Sequence, residues 1–323
     1  MKVLYIGMPN LMRPWYDDFL AAVGGQFPVV LYDPDKPAAE QFRDVGVVVA
    51  LGGAQMTRPM IDTALASGVK LWQIVGTGLD HVDVPYFLEK RMPLANTPGQ
   101  FSSIALAEHA ILLMLCLAKN LHQSFANVRS GVFSLPTTTE LAGGTLGLIG
   151  LGASGSELAR RAWALGMRVL AIDVRQVPQT VLDELHVEFF GGPEQLDHVL
   201  ANADYLSLHT PLTAQTRHLI GRQALARMKR TACLINVARG EIVDEEALVE
   251  ALREGRIGGA GLDAFGREPL PPDHPFLHMA NVVTTPHIAG GTVETSRRRS
   301  QAAAENVRRV ARGLSPLYQV TSG

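Results

Sequence analysis

The stretch TLGLIGLGASGSELARRAWALGMRVLAID (145–173) decides the fold. An apolar segment, TLGLI, runs into the turn GLGASG. A helix-patterned segment, SELARRAWAL, follows, and a second apolar segment, RVLAI, ends on Asp173. Strand, glycine turn, helix and strand in this order form the unit that binds a dinucleotide. Gly150 permits the tight turn, Gly152 lets the backbone approach a pyrophosphate, and Gly155 lets helix and strand pack closely. Ala153 and Ser154 complete the loop, whose helix start offers free N–H groups and a positive dipole end to phosphate. Asp173 lies 18 residues after Gly155, near the ~20 expected of a carboxylate that binds ribose hydroxyls. A carboxylate there repels a 2′-phosphate, so NAD is expected and NADP disfavoured. Arg175, two residues on, weakens that preference.

Working outward, apolar runs alternate with helical patterns. Before the motif come KVLYIG (2–7), VVLYD (29–33), VGVVVA (45–50), LWQIVG (71–76) and PLANT (93–97), with helix patterns near 14–23, 37–44, 58–67 and 84–90. A long apolar helix is expected over about Ser102 to Leu121, then a connection, SLPTTTELAGG (134–144). After the motif come VEFF (187–190), YLSLHT (205–210), CLINV (233–237), GAGLDAF (259–265) and VVTTP (282–286). Helices are expected to begin near 193, 221 and 244, with a last one over about Val293 to Gly313. Uninterrupted apolar strands separated by helices imply parallel sheets covered on both faces. The class is therefore α/β, with two doubly wound parallel-sheet domains. The alternation alone leaves open whether one unit is inserted in the other.

Composition agrees. At roughly 150 residues per domain, 323 residues imply two domains, and 47% apolar residues can build their cores. The net charge of −2 argues against a dedicated nucleic-acid or anionic-membrane binder. Arg297, Arg298, Arg299, Arg308, Arg309 and Arg312 make the last helix basic, which reads as a solvated face. Cys116 and Cys233 sit in apolar runs and read as buried thiols of a reduced cytoplasm; no cysteine or histidine spacing suggests a metal site. The run Ile104 to Ala118 contains Glu108 and His109 and is shorter than the ~20 residues of a membrane span.

Four polar residues fall at strand ends of the second unit: Arg239, Asp263, Glu268 and His287. Ligands of doubly wound sheets bind beyond the carboxyl ends of the strands. Singly, each has an ordinary explanation: an ion pair, a turn acid, a structural histidine. Together they supply an anion clamp, an acid–base group and a carboxylate partner beside a nicotinamide site.

At these residues the sequence resembles the D-isomer-specific 2-hydroxyacid dehydrogenase family, of the glyoxylate/hydroxypyruvate reductase kind. The matching segments include VGTGLDHVD (75–83), NTPGQFSSIALAEHA (96–110), LHTPLT (208–213), MKRTACLINVARGEIVDEEALVEAL (228–252), GAGLDAFGREPL (259–270) and PHIAGG (286–291). The resemblance implies a flavodoxin-like substrate domain, 1–97 plus 286–323, and an inserted Rossmann NAD-binding domain, 98–285. It implies a homodimer acting on a small 2-keto or 2-hydroxy acid. Arg239 matches the arginine that holds the substrate carboxylate and polarises the keto oxygen, a task for a two-donor fork. His287 matches the acid–base residue and Glu268 its partner. Gly76, Thr77 and Gly78 match the loop that receives the carboxylate. Asp263 matches the acid near the nicotinamide; His209, Thr210 and Pro211 match the loop beside the adenosine; Val237 and Ala238 lie along the cofactor.

Some positions depart from the family. His81 stands where Asn is usual, and Ser154 where an apolar residue is common. The loop LGGAQ (51–55) carries Gly52 and Gly53 where phosphoglycerate dehydrogenases typically place a cation, which argues against a phosphorylated substrate. Glu268 argues against formate dehydrogenase, which normally lacks it. A phosphoglycerate dehydrogenase-like enzyme and an NAD-sensing corepressor-like binding module remain the alternatives.

Overall fold

The structure, a computed structural model, describes residues 1–8 and 13–321. In chain order its elements begin with β1 (Lys2–Ile6), α1 (Trp15–Val23), β2 (Val29–Leu31), α2 (Ala38–Gln41), β3 (Val45–Leu51), α3 (Arg58–Ala66), β4 (Leu71–Val75), α4 (Val84–Glu89) and β5 (Leu94–Ala95). Then come α5 (Ser103–Ala118), α6 (Leu121–Arg129), β6 (Thr145–Ile149), α7 (Ala153–Ala164), β7 (Arg168–Ile172), α8 (Gln179–Glu184), β8 (Val187–Gly191) and α9 (Leu196–Asn202). The last are β9 (Tyr205–Leu208), α10 (Arg222–Arg227), β10 (Cys233–Asn236), α11 (Glu245–Arg253), β11 (Gly259–Leu262), β12 (Val282–Thr284) and α12 (Val293–Ala311).

The chain forms two compact units, Met1–Phe101 with Thr292–Gly323, and Ser102–Gly291. These divisions fall a few residues beyond 97/98 and 285/286. The first unit holds a parallel sheet of order β2-β1-β3-β4-β5, the flavodoxin-like arrangement. Its strands are apolar on both faces because both are covered. Val3, Tyr5, Val47 and Val49 pack with Trp15, Phe19, Ala303 and Val307 of α1 and α12. Leu4, Ile6, Val48 and Ala50 pack with Phe42, Ile61, Trp72 and Phe87 on the opposite face.

The second unit holds a parallel sheet of order β12-β11-β10-β9-β6-β7-β8. Counted from β6 within the unit, this is the Rossmann order, whose direction reverses between β6 and β9. One face is packed by α5 and α7, through Leu113, Met114, Leu158 and Ala162. The other is packed around Leu206, Leu225, Leu234, Leu248 and Phe276. Asp244 caps α11 by accepting the Ala247 N–H, and Glu245, Glu246 and Arg253 suit the two ends of its dipole.

Three features differ from the sequence expectation. The apolar helix stops at Ala118, because Asn120 adopts a left-handed conformation, φ 46°, and α6 restarts in a new direction. Asn tolerates that region better than most residues. No single helix among the described residues is long and apolar enough to cross a membrane. The arginines of α12 are not a purely solvated face. Arg298 donates to the Phe101 carbonyl, Arg308 to that of Ala22, and Arg299, 9% exposed, to Thr77 Oγ1. The guanidinium's several donors let a helix bond chain that it covers. The two cysteine thiols are unpaired and half-buried rather than buried.

Candidate active site

In the second unit the expected residues follow the carboxyl ends of neighbouring strands: Gly150 after β6, Asp173 after β7, His209 after β9, Val237 after β10, Asp263 after β11 and His287 after β12. Parallel strands put all these ends on one edge.

The phosphate loop has a cradle's geometry. Gly150 has φ +96°, and a Cβ there would lie 2.6 Å from the His209 carbonyl oxygen. A Cβ on Gly155 would lie 2.1 Å from the Gly150 oxygen, so only glycine lets α7 begin against the end of β6. At Gly152 a Cβ would meet only Arg175 Nη2, at 3.5 Å. Gly152 starts α7 without a side-chain cap, leaving its first N–H groups for a phosphate. These features fit a bound pyrophosphate.

His209 braces this loop. Its Nδ1 lies 3.0 Å from Ser154 Oγ and its Nε2 2.9 Å from Ser207 Oγ. Desolvation pushes its pKa down to about 4, and a neutral ring bonded to two hydroxyls is satisfied in either tautomer. This gives the departure at Ser154 a structural partner. In the adjoining loop, Pro211 O accepts the Thr216 hydroxyl at 2.7 Å, and Thr210 is half-buried.

Asp173 is already engaged. Oδ2 accepts the Leu151 N–H at 2.8 Å and Arg175 Nη2 at 2.7 Å. Oδ1 accepts the Arg175 N–H at 2.9 Å and its Nε at 3.0 Å. Burial pushes its pKa up, but the bonds from Arg175 and Leu151 outweigh it and hold the carboxyl below its ordinary value.

Arg239 leaves β10 in extended conformation. Asn236 shapes the turn by accepting the Ala238 N–H at 3.0 Å and donating to the Arg239 carbonyl at 2.8 Å. Gly240 presses against the chain after β11, where a Cβ would lie 1.9 Å from the Phe265 carbonyl carbon. That contact brings the half-buried Arg239 near the Glu268 segment. Glu268 Oε1 accepts the Phe265 N–H at 2.9 Å, and Oε2 lies 2.7 Å from His287 Nδ1. The bond to Glu268 raises the His287 pKa, against burial and the Arg239 charge. Burial raises the Glu268 pKa, but bonding by His287 and Phe265 and the charges of His287 and Arg239 bring it below its ordinary value. The His287 side chain is 44% exposed. Pairing to a carboxylate through Nδ1 leaves Nε2 to face a reactant.

Asp263 is 1% exposed. Oδ1 accepts the Thr285 hydroxyl at 2.6 Å and the Ile288 N–H at 2.9 Å; Oδ2 accepts the Ala289 N–H at 2.8 Å. His109 Nε2 joins them, 2.9 Å from Thr285 Oγ1. Sequence reading singled out neither His109 nor Thr285. Their one signal was a histidine in a largely apolar helix.

In the first unit, the Gly76–Gly78 loop follows β4. Gly76 O accepts the Thr97 N–H at 3.1 Å, and Thr77 O accepts Asn96 Nδ2 at 2.9 Å. A Cβ on Gly76 would lie 3.1 Å from Gly52 Cα, so two glycine loops pack backbone to backbone. His81 Nε2 accepts the Gly53 N–H at 2.9 Å. Arg13 Nε lies 3.2 Å from Asp17 Oδ2.

This arrangement is that of a nicotinamide-dependent dehydrogenase. The chain belongs to the D-isomer specific 2-hydroxyacid dehydrogenase family, whose NAD binding domain matches residues 111–289. It is 38% identical to the D-3-phosphoglycerate dehydrogenase of Methanocaldococcus jannaschii over 85% of this chain and 51% of that one, so it spans about half the length of that relative. It is 36% identical to the glyoxylate reductase of Korarchaeum cryptofilum over 92% of this chain and 90% of that one. Among solved structures, the Aquifex aeolicus D-lactate dehydrogenase complexed with NAD and lactic acid superposes with a TM-score of 0.81 at 29% identity, covering 97% of this chain and 96% of that one. NAD is the cofactor the family implies, and the glycine cradle fits it.

Proposed function

We propose that this protein reduces small, unphosphorylated 2-keto acids to D-2-hydroxy acids, as a glyoxylate/hydroxypyruvate-type reductase. The observation that carries the reading is the His287–Glu268 pair, 2.7 Å apart, with Arg239 close enough for its charge to be felt by both. When bound, NADH would supply the hydride for reduction of the keto carbon. Charged His287 gives its Nε2 proton to the keto oxygen, while Glu268 holds Nδ1–H and favours the charged ring. The Arg239 fork binds the substrate carboxylate and stabilises the charge that grows on the oxygen. The family resemblance assigns the loop of Gly76, Thr77 and Gly78 in the first unit to a substrate carboxylate. For the cofactor, Gly150, Gly152, Ala153, Ser154 and Gly155 would hold the pyrophosphate and Asp173 the ribose. His209, Thr210 and Pro211 would line the adenosine side, and Val237, Ala238 and Asp263 the nicotinamide side.

The substrate choice is supported by Gly52 and Gly53, whose loop brings no side-chain cation for a phosphate, and by the similarity to glyoxylate reductase. The test is NADH oxidation with glyoxylate, hydroxypyruvate, pyruvate and 3-phosphohydroxypyruvate. A kcat/KM highest for the phosphorylated acid overturns the substrate class. No turnover across the panel, with tight NADH binding, favours the binding module.

A homodimer in the cytoplasm is part of the proposal. Leu112 and Leu115 of α5, Phe125 and Val128 of α6, and Phe133 and Leu135 beyond it are exposed, Phe133 by 80%, as a subunit interface would require. Light scattering should give twice the 34.9 kDa chain mass; a monomer at micromolar concentration overturns the dimer. The unpaired thiols suit a reducing compartment.

A further inference from the structure

We infer that His109 and Thr285 are positioning residues for the acid–base histidine, acting through Asp263. The inference rests on the role proposed above for His287. Thr285 has one hydroxyl proton, and it goes to Asp263 Oδ1, 2.6 Å away. At 2.9 Å, His109 Nε2 must therefore donate to Thr285 Oγ1. It also lies 3.5 Å from Asp263 Oδ1. Desolvation lowers the His109 pKa, with the Asp263 charge opposing, which suits a neutral Nε2–H donor.

The Asp263 carboxylate thus has one oxygen pinned by a side-chain hydroxyl that is itself pinned by a histidine of α5. Its two oxygens then hold the N–H groups of Ile288 and Ala289, the residues after His287. His287 has φ +56°, which a residue with a Cβ adopts only under constraint. The two Asp263 bonds on its far side, and its own N–H bond to Thr285 O at 3.0 Å, supply that constraint. If the carboxylate is released, residue 287 can relax and its ring drifts from Glu268. The charged or titratable groups acting on this centre are Glu268, Arg239 and Asp263 on His287, and Asp263 on His109.

The test uses the full chain with NADH and four variants: Thr285→Val, Thr285→Ser, His109→Phe and His109→Gln. Serine keeps the hydroxyl and glutamine keeps an N–H donor. Thr285→Val and His109→Phe should lower kcat roughly tenfold or more, since small misplacements of a reacting group cost rates of that order. The NADH dissociation constant, read by fluorescence, should stay close to that of the unaltered protein. Thr285→Ser and His109→Gln should recover most of the lost turnover. The His287 ring resonance, assigned among the 10 histidines with His287→Asn, should titrate at lower pH in the two damaging variants. A folded Thr285→Val protein with undiminished kcat, or with an unmoved His287 titration, overturns the inference. If His287→Asn itself keeps full turnover, the acid–base reading fails, and the titration of His287 in Thr285→Val alone decides whether the network positions it.

Discussion

His287 Nδ1 lies 2.7 Å from Glu268 Oε2, and this bond sets the charge state of the imidazole. A raised pKa keeps the ring protonated to higher pH. Reduction of a keto acid needs that form, so its rate is full below the raised pKa and falls as pH rises through it. Oxidation of the alcohol has the opposite sign. Glu268→Gln should move the falling limb of the reduction profile to lower pH. Near pH 8 it should cut kcat/KM about 100-fold, the low end of what general acid catalysis contributes. Initial rates across a pH series check this; an unmoved limb would remove Glu268 from its assigned role.

Arg175 and Asp173 pair at the proposed ribose end of the cofactor site. While the guanidinium holds both carboxylate oxygens, it competes with the ribose hydroxyls and lessens repulsion of a 2′-phosphate. Arg175→Ala should tighten NADH binding and weaken NADPH binding, widening the preference for NADH about tenfold, the value of one charge-assisted bond of about 1.5 kcal/mol. Calorimetric titration of both dinucleotides decides it; unchanged or narrowed preference would mean that Arg175 takes no part in selectivity.

Gly240→Ala forces a methyl group into the chain at Phe265 and Gly266. Because backbone is hard to displace, the cost should be about 2 kcal/mol or more, as for other overpacked sites. It should appear as a lowered urea midpoint, together with lost turnover, since Arg239 and Glu268 are brought together across this contact. An alanine variant with both intact would show that the two segments can part freely.

His209 carries an acid sensitivity. Its folded pKa is depressed to about 4, against about 6.5 in the unfolded chain. The unfolded chain therefore binds the proton first. The stability from the neutral ring is full above about pH 6.5 and is lost as pH falls toward 4, by up to about 3 kcal/mol. Urea unfolding at stepped pH should show this loss, and His209→Asn should lack that component.

The sheets were legible because doubly covered strands leave uninterrupted apolar runs, and β3 and β6 show this plainly. The cofactor turn was legible because glycine spacing is dictated by contacts within a few residues. The bend at Asn120 was not, because one left-handed residue leaves no periodic trace in an apolar stretch. His287 and Glu268 could be paired through the family resemblance. The bond from His109 to Thr285 spans 176 residues, and no local pattern announces a partner so distant. The arginines of α12 misled for a related reason: their charge suggests water, while Arg298 and Arg308 bond carbonyls and Arg299 a hydroxyl, all brought near only by folding.

The return of α12 to the first unit has a consequence for synthesis on the ribosome. Val3, Val47 and Val49 share their core with Ala303, Ala304 and Val307, which are made only after the whole second unit. At ~5–20 residues per second, the intervening chain takes roughly 10 to 40 s to emerge. Throughout that interval the apolar face of the earlier sheet that α1 and α12 share lacks α12. The nascent chain therefore carries a surface that invites chaperone binding, and Ser102–Gly291 can complete its fold while the segment translated first is still waiting for its last helix.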